Sequence, residues 1–368
     1  MQNWKTFRPS PDLHPDHLLD EIDAVHYGRT RNFLHGSVTA LSPYISRGII
    51  STRMVMERVI RGGYNPYRHE KFLQQLAWRD YFQRVLQAKP ELDRVAIKQP
   101  QLSIRQPSQV LPMSIVQGKT GIESIDQAIQ QLFTDGWMHN HARMYVASVV
   151  ANIGGYSWQT GGRWMYYHLL DADIASNYCS WQWICGAFSS KRYLANQENI
   201  NKYTGSRQSG SFLDTSYESL ELMDVPSVLQ DNTPLELKTM MPKGDGPIKA
   251  LKYPVALYNM YNLDPNWHQG EDMHRVLLLE LSHFDAFPVS DKVLAWVMGQ
   301  ATLIPEIHVY VGEFSQFVKD HPRADIFYKE HPTFNYHGRM ESRDWMFPEV
   351  TGYFPSFFGY WKRCQKYL

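Results

Sequence analysis

A mainly α-helical protein closing on a small α/β segment is the architecture this sequence predicts, on three observations. Helix-forming patterns dominate residues 15–240. The composition changes at MPKGDGP (241–247), which reads as a linker. Beyond it, VLLLEL (276–281), SDKVLAWVMGQATL (290–303) and IHVYVGEF (307–314) run as strand, capped amphipathic helix and strand, with short links. That order builds a parallel layer, because parallel strands need a crossover connection. The expected division is a helical domain over 1–240 and a small Rossmann-like α/β domain over 248–368.

Each element has its own signal. LQQLAWRDYFQRVLQ (73–87) sets Leu73, Leu76, Ala77, Tyr81, Val85 and Leu86 near one face at helical spacing. Gly62-Gly63 and Asn65-Pro66 break the chain before it. Residues 88–121, rich in Pro and Gln, read as a long surface connection. SIDQAIQQLFTDGWMHNHARMYVASVVANIGG then gives two helices, broken at Asp135-Gly136. PSFFGYWKRCQKYL closes the chain as a terminal helix. There is no internal repeat and no low-complexity tract.

The bulk numbers bound the function classes. At 368 residues with 43% hydrophobic residues, the chain has material for about two domains. Its opening, MQNWKTFRPSPDL, lacks the basic-then-apolar layout of a signal peptide. No apolar run reaches membrane-spanning length, since MYVASVVA (144–151) is bounded by Arg143 and Asn152. These features point to a soluble, cytoplasmic protein with no membrane partner. Cys179, Cys185 and Cys364 form no CxxC or CxxxC pair, so a four-thiolate metal site cannot be built from them alone. Net charge is zero, yet residues 1–210 carry 23 Lys+Arg against 16 Asp+Glu, and the remainder 14 against 21. A basic N-terminal portion of that kind attracts phosphates; it is equally an ordinary drift of surface charge.

The densest chemistry lies between Trp158 and Trp183. Trp158, Trp164, Trp181 and Trp183 surround Asp171, Asp173 and Asn177, and aromatics make up 14% of the chain. Indoles stack on bases and conduct electrons, whereas carboxylates and amides orient a heteroaromatic ring. Taken alone, the two aspartates read as a retained ion pair or a helix cap. His139 and His141 stand two apart, so on a helix they point to different faces and make a poor metal pair. Lys119 in GKTG (118–121) is no phosphate-binding loop, because the glycine of GxxxxGK[ST] is absent.

The words LLDADIASNYCSWQW and GWMHNHARM, with TALSPYISRGIIS (39–51) and AWRDYF (77–82), resemble the photolyase/cryptochrome family over about residues 27–205. The resemblance implies a photolyase-type helical FAD-binding domain. It implies flavin contacts at Tyr27, Thr39, Leu41, Ser42, Arg79, Arg143, Asp171, Asp173 and Asn177. Asn177 would face the flavin N5, Asp173 the ring or ribityl side, and Asp171 would pair with Arg143. Thr39-x-Leu41-Ser42 taken alone is an ordinary helix cap. Trp78 and Trp183 would wall the lesion site, with Gln75, Asn140 and Met144 against the pyrimidines. Trp181 and Trp158 would carry electrons to the flavin. GKTG occurs in the family as the start of a helix.

The implied activity is light-driven splitting of cyclobutane pyrimidine dimers in UV-damaged DNA, single- or double-stranded, because asparagine and methionine at 140 and 144 resemble dimer photolyases. The sequence also departs from the pattern. Only 26 residues precede Tyr27, so the family's N-terminal antenna domain is missing from its usual place. Gln75 replaces an acidic lesion contact, and Asn196 a backbone-clamping arginine. Arg105 falls at the third tryptophan position. The departures at 75 and 196 favour a cryptochrome-like photoreceptor without repair. The lost tryptophan leans towards a flavoprotein that is redox-active in the dark or holds its cofactor for structure. Oligomeric state is not legible.

Overall fold

The computed structural model describes residues 15–101, 104–189, 191–246, 248 and 253–368. The reading of the opening 13 residues as no signal peptide lies outside them. Among the described residues, no helix is long and apolar enough to cross a membrane.

The chain forms two compact units. The first comprises Val25–Val38 and Glu91–Glu236; the second comprises 15–24, Thr39–Pro90 and Leu237–Leu368. This differs from a single boundary between 240 and 248. The helices of residues 39–90 group with the C-terminal segment, held by bonds between residues far apart in the chain. In the 19-residue Glu70–Ala88 helix, Asp80 accepts from Thr52 Oγ1 and from Met346 N, both at 2.8 Å. Tyr81 donates to Phe354 O, and Trp361 Nε1 to Glu70 Oε1. Buried backbone and carboxyl groups need such partners, so these long-range bonds fix the helix to the C-terminal residues.

In the first unit the Glu123–Asp135 helix stops at Gly136, whose φ of +66° gives a left-handed cap. The Asn140–Ala147 helix follows and runs on as a π turn, Ser148–Ile153. Trp158–His168 and Ile174–Ile184 pack beside it, and Gln197–Thr204 follows. The Pro/Gln-rich connection is not all loop: β1 (Val110–Pro112) pairs antiparallel with β2 (Asn232–Pro234). A three-residue strand leaves too short a period to see in sequence. GKTG is a helix start, with Thr120 N and Oγ1 both donating to Asp126 Oδ1 at 2.7 Å.

The second unit contains a five-stranded sheet in the order β5-β4-β3-β6-β7, every neighbour parallel. These are β3 (Val255–Tyr258), β4 (His274–Leu279), β5 (His308–Val311), β6 (Ile326–Lys329) and β7 (Arg339–Glu341). The expected strand–helix–strand is β4, the Asp291–Ala301 helix and β5, in register Val276↔His308. Val255, Leu257, Val276 and Leu278 are fully or almost fully buried, as a continuous apolar strand in a parallel sheet should be. The terminal helix is Phe357–Cys364, capped by Ser356.

Candidate functional site

Four of the expected site residues converge within the first unit. Arg143 donates through Nη2 to Asp171 Oδ2 at 3.0 Å and through Nε to Met138 O at 2.8 Å. The Asp171 side chain is 3% exposed and that of Arg143 is 20% exposed. A carboxylate this deep persists as an anion only beside a cation. Asp173 is the N-cap of the Ile174–Ile184 helix: Oδ1 accepts from Ser176 N at 2.9 Å, and Oδ2 from the Ser176 hydroxyl. Of the two alternatives the sequence leaves open, ion pair and cap, each aspartate takes one.

Asn177 donates through Nδ2 to Gly162 O at 2.9 Å. A carbonyl oxygen can only accept, so this bond fixes the amide orientation and leaves Oδ1 as an available acceptor. Gly162 and its neighbour Gly161 are the residues that sequence reasoning passed over. A Cβ on Gly161 would stand 2.4 Å from the Trp181 ring, and one on Gly162 2.8 Å from Tyr178. Two adjacent glycines inside a helical pattern cost about 1 kcal/mol each against alanine. That cost was the available signal of a close approach.

The electron-carrying candidates are Trp181, 2% exposed, and Trp158, 4% exposed. Trp158 meets Tyr178 edge-on at 6.3 Å. Arg105, at the third tryptophan position, lies against Gly155, with its N donating to Gly155 O at 2.9 Å. His139 is buried, and burial lowers its pKa to about 3, with the nearby His141 and Arg143 acting in the same sense. His141 is lowered to about 4, chiefly by burial and then by Arg31. Both are neutral at pH 7, and among the described residues no His/Cys/Asp/Glu group could hold a metal. Asn140 is exposed at the first turn of its helix, and Met144, Trp183 and Tyr27 are half-buried.

The remaining candidates belong to the second unit. Leu41 is buried and precedes the short Ser42–Ser46 helix, which no side chain caps; Thr39 and Ser42 are half-buried. Arg79 donates to Ser46 Oγ, and Gln75 and Trp78 lie on the same helix as Arg79. Trp78 has a partner that no sequence pattern announces. Its indole is stacked on Phe357, with centroids 3.9 Å apart and planes at 10°, so one face is covered by the protein itself. The two rings stand 279 positions apart in the chain, too far for any local pattern to pair them.

Residues 72–216 match a family model described as the FAD binding domain of DNA photolyase. Over that segment the chain resembles the photolyase/cryptochrome family. A deoxyribodipyrimidine photo-lyase of Alkalihalophilus pseudofirmus is 33% identical over 144 residues, 39% of this chain and 30% of that protein. Cryptochrome-2 of Gallus gallus is 33% identical over 187 residues, covering 47% and 31%. A class III photolyase structure from Agrobacterium tumefaciens aligns at 26% identity over 52% of this chain and 41% of that one, with a TM-score of 0.46. The chain spans about a third of the length of the curated relatives it matches. FAD is the cofactor of the matched domain, and the polar groups present suit it: Arg143 is a held cation, and Asn177 Oδ1 is an unused acceptor.

Proposed function

We propose that this photolyase/cryptochrome flavoprotein uses light to split cyclobutane pyrimidine dimers in DNA. The observation that carries the reading is the Arg143–Asp171–Asn177 arrangement inside the segment that matches the FAD-binding model. Bound in its reduced form, FAD would supply the light-absorbing electron donor for a redox-neutral ring splitting. The chain's own residues set the conditions. Asn177 Oδ1, left free by the Nδ2 bond to Gly162 O, would accept from the N5–H of the reduced ring. The Arg143 charge favours its anionic form, with Asp171 holding the guanidinium in place. Asp173, which fixes the helix start, would contact the ring or ribityl chain. Tyr27, Thr39, Leu41, Ser42 and Arg79 hold the rest of the dinucleotide.

For the lesion, Asn140 and Gln75 would hydrogen-bond pyrimidine edges, Met144 would pack against them, and Trp183 and Trp78 would stack on the flipped bases. Stacking contributes about 1–3 kcal/mol per base, which helps offset the few kcal/mol that extruding a nucleotide costs. Trp181 and Trp158 would relay an electron from an external reductant to the photoexcited oxidised flavin. The test is illumination of the reduced protein with dimer-containing single- and double-stranded DNA. Light-dependent loss of dimers is expected, and no loss on either substrate ends the repair reading.

A second reading, a cryptochrome-like photoreceptor, is favoured by the Phe357 ring on Trp78, which removes half of that stacking wall. It requires photoreduction without tight, salt-sensitive binding to damaged DNA. A binding titration against salt separates the two, since phosphate contacts impose a steep salt slope.

A further inference from the structure

The sheet order β5-β4-β3-β6-β7 places the reversal of winding between β3 and β6. In open parallel sheets, ligands bind outside the carboxyl ends of the strands at that point. Here those ends carry Asn259–Asn262 after β3, Glu280–His283 after β4 and Glu330–His331 after β6. The Tyr261 ring stacks on His331 with centroids 4.3 Å apart and planes at 2°, and it meets His283 edge-on at 5.7 Å. Arg47 belongs to the same unit and lies over Tyr261, its guanidinium carbon 5.8 Å from the ring centroid.

Arg47 is held there by its backbone. Its carbonyl accepts from Leu263 N at 2.9 Å. Gly48 follows at φ +65°, where a Cβ would stand 2.4 Å from Tyr261 O and 3.1 Å from Asn262 Cα. No larger side chain fits, so the turn presses Arg47 against the β3 end.

The side chain is 0% exposed, and its Nε, Nη1 and Nη2 have no hydrogen-bond partner among the described residues. The buried Nδ2 of Asn262 likewise lacks an acceptor. The carboxylates that follow these strands are engaged elsewhere. Glu280 accepts from Phe314 N and Tyr336 OH, and Glu330 from Gln87, Ser342, Arg343 N and Trp345 Nε1. An arginine cannot shed its proton, and an isolated charge out of water is strongly unfavourable. The local excess is therefore of donors, and it lacks an acceptor. Burial keeps His283 and His331 neutral, with the Arg47 charge a lesser cause, so neither adds a second cation beside the guanidinium.

We propose that the carboxyl end of this sheet binds an oxyanion, a phosphate or carboxylate group, on the Arg47 guanidinium beside Tyr261. A planar fork of donors suits two oxygens of such a group. The site is distinct from the flavin contacts assigned to Thr39–Ser42, because Arg47 lies past the far end of the Ser42–Ser46 helix and against the sheet.

Thermal melting of the full chain with saturating FAD, in phosphate, acetate and chloride at matched ionic strength, tests this. A saturable rise in Tm of several degrees is expected in phosphate or acetate over chloride, since a ligand of the native state alone stabilises it. The anion that acts identifies the group. Arg47→Met, which keeps the stem and removes the charge, should lose that rise and melt above the wild type in chloride. Arg47→Lys should retain a dependence at least tenfold weaker in anion concentration. Equal melting in all three salts overturns the proposal, and so does an anion effect that disappears once FAD is bound. Should Arg47→Met fail to fold, the wild-type series and Arg47→Lys still decide the matter.

Discussion

Arg143 and Asp171 illustrate what one buried ion pair asks of its neighbours. With Asp171 buried, removing the cation leaves a carboxylate without compensation, and broken buried pairs cost about 3–5 kcal/mol. Arg143→Met should lower the unfolding free energy by about that much in urea titrations, and Asp171→Leu by a comparable amount. The double variant should lose well under the sum of the two single losses. Strict additivity would show that the pair does not interact. His139 has the opposite electrostatic character, a base kept neutral. Its pKa falls from 6.5 to about 3 on folding, so its contribution is intact above pH 6.5 and drains away as pH falls towards 3. His139→Asn retains a capping side chain for His141 N but cannot titrate. Its urea midpoint should fall less steeply than the wild type's between pH 7 and 4.5, and parallel profiles would refute the assignment. At this scale the sequence exposed Arg143, Asp171, Asp173 and Asn177, because they sit in short distinctive words. Arg47 stayed hidden: an arginine before a glycine reads as surface, and only tertiary packing buries it.

Among the elements, β4, β5 and the helix between them were legible because an apolar run, a Ser290 cap and a second apolar run follow one another at short range. β3, β6 and β7 were not: they are as short as β5 but lack a side-chain-capped amphipathic helix at short range to mark them, and β7 is Arg-Met-Glu at the sheet edge. The Glu70–Ala88 helix was recognised by its spacing, but its burial of Asp80, Gln83 and Arg84 was not. Burial pushes the Asp80 carboxyl pKa up, against the pull of Arg343 and the bonds from Met346 N and Thr52. Its neighbour in the helix, Trp78, depends on the terminal helix for cover. Phe357→Ala removes a 2%-exposed ring and should destabilise the protein by about 3–5 kcal/mol. It should also make indole fluorescence more quenchable by acrylamide under native conditions. Phe357→Leu should recover most of the stability while still leaving the Trp78 face less well covered. Unchanged quenching in both variants would mean that Phe357 does not shield Trp78.

For the whole molecule, chain order and spatial grouping diverge. The chain leaves the second unit at Pro90 and returns to it at Leu237, and β1 pairs with β2 near both ends of the excursion between. A cut at residue 240, where the composition changes, therefore separates partners within one unit. A fragment of residues 1–240 would deprive Asp80 of Met346 N, Tyr81 of Phe354 O, Glu70 of Trp361 and Trp78 of its Phe357 stack. A buried carboxyl stripped of a donor costs about 1–3 kcal/mol, and the exposed aromatics add lost burial on top. Set against a domain stability of about 5–15 kcal/mol, these losses are decisive. The fragment should show no cooperative urea transition, and its helical ellipticity per residue should fall below that of the same region in the full chain. A sharp transition with full ellipticity would mean that residues 91–240 alone suffice to hold the Glu70–Ala88 helix. The linear division read from the sequence would then be the correct one.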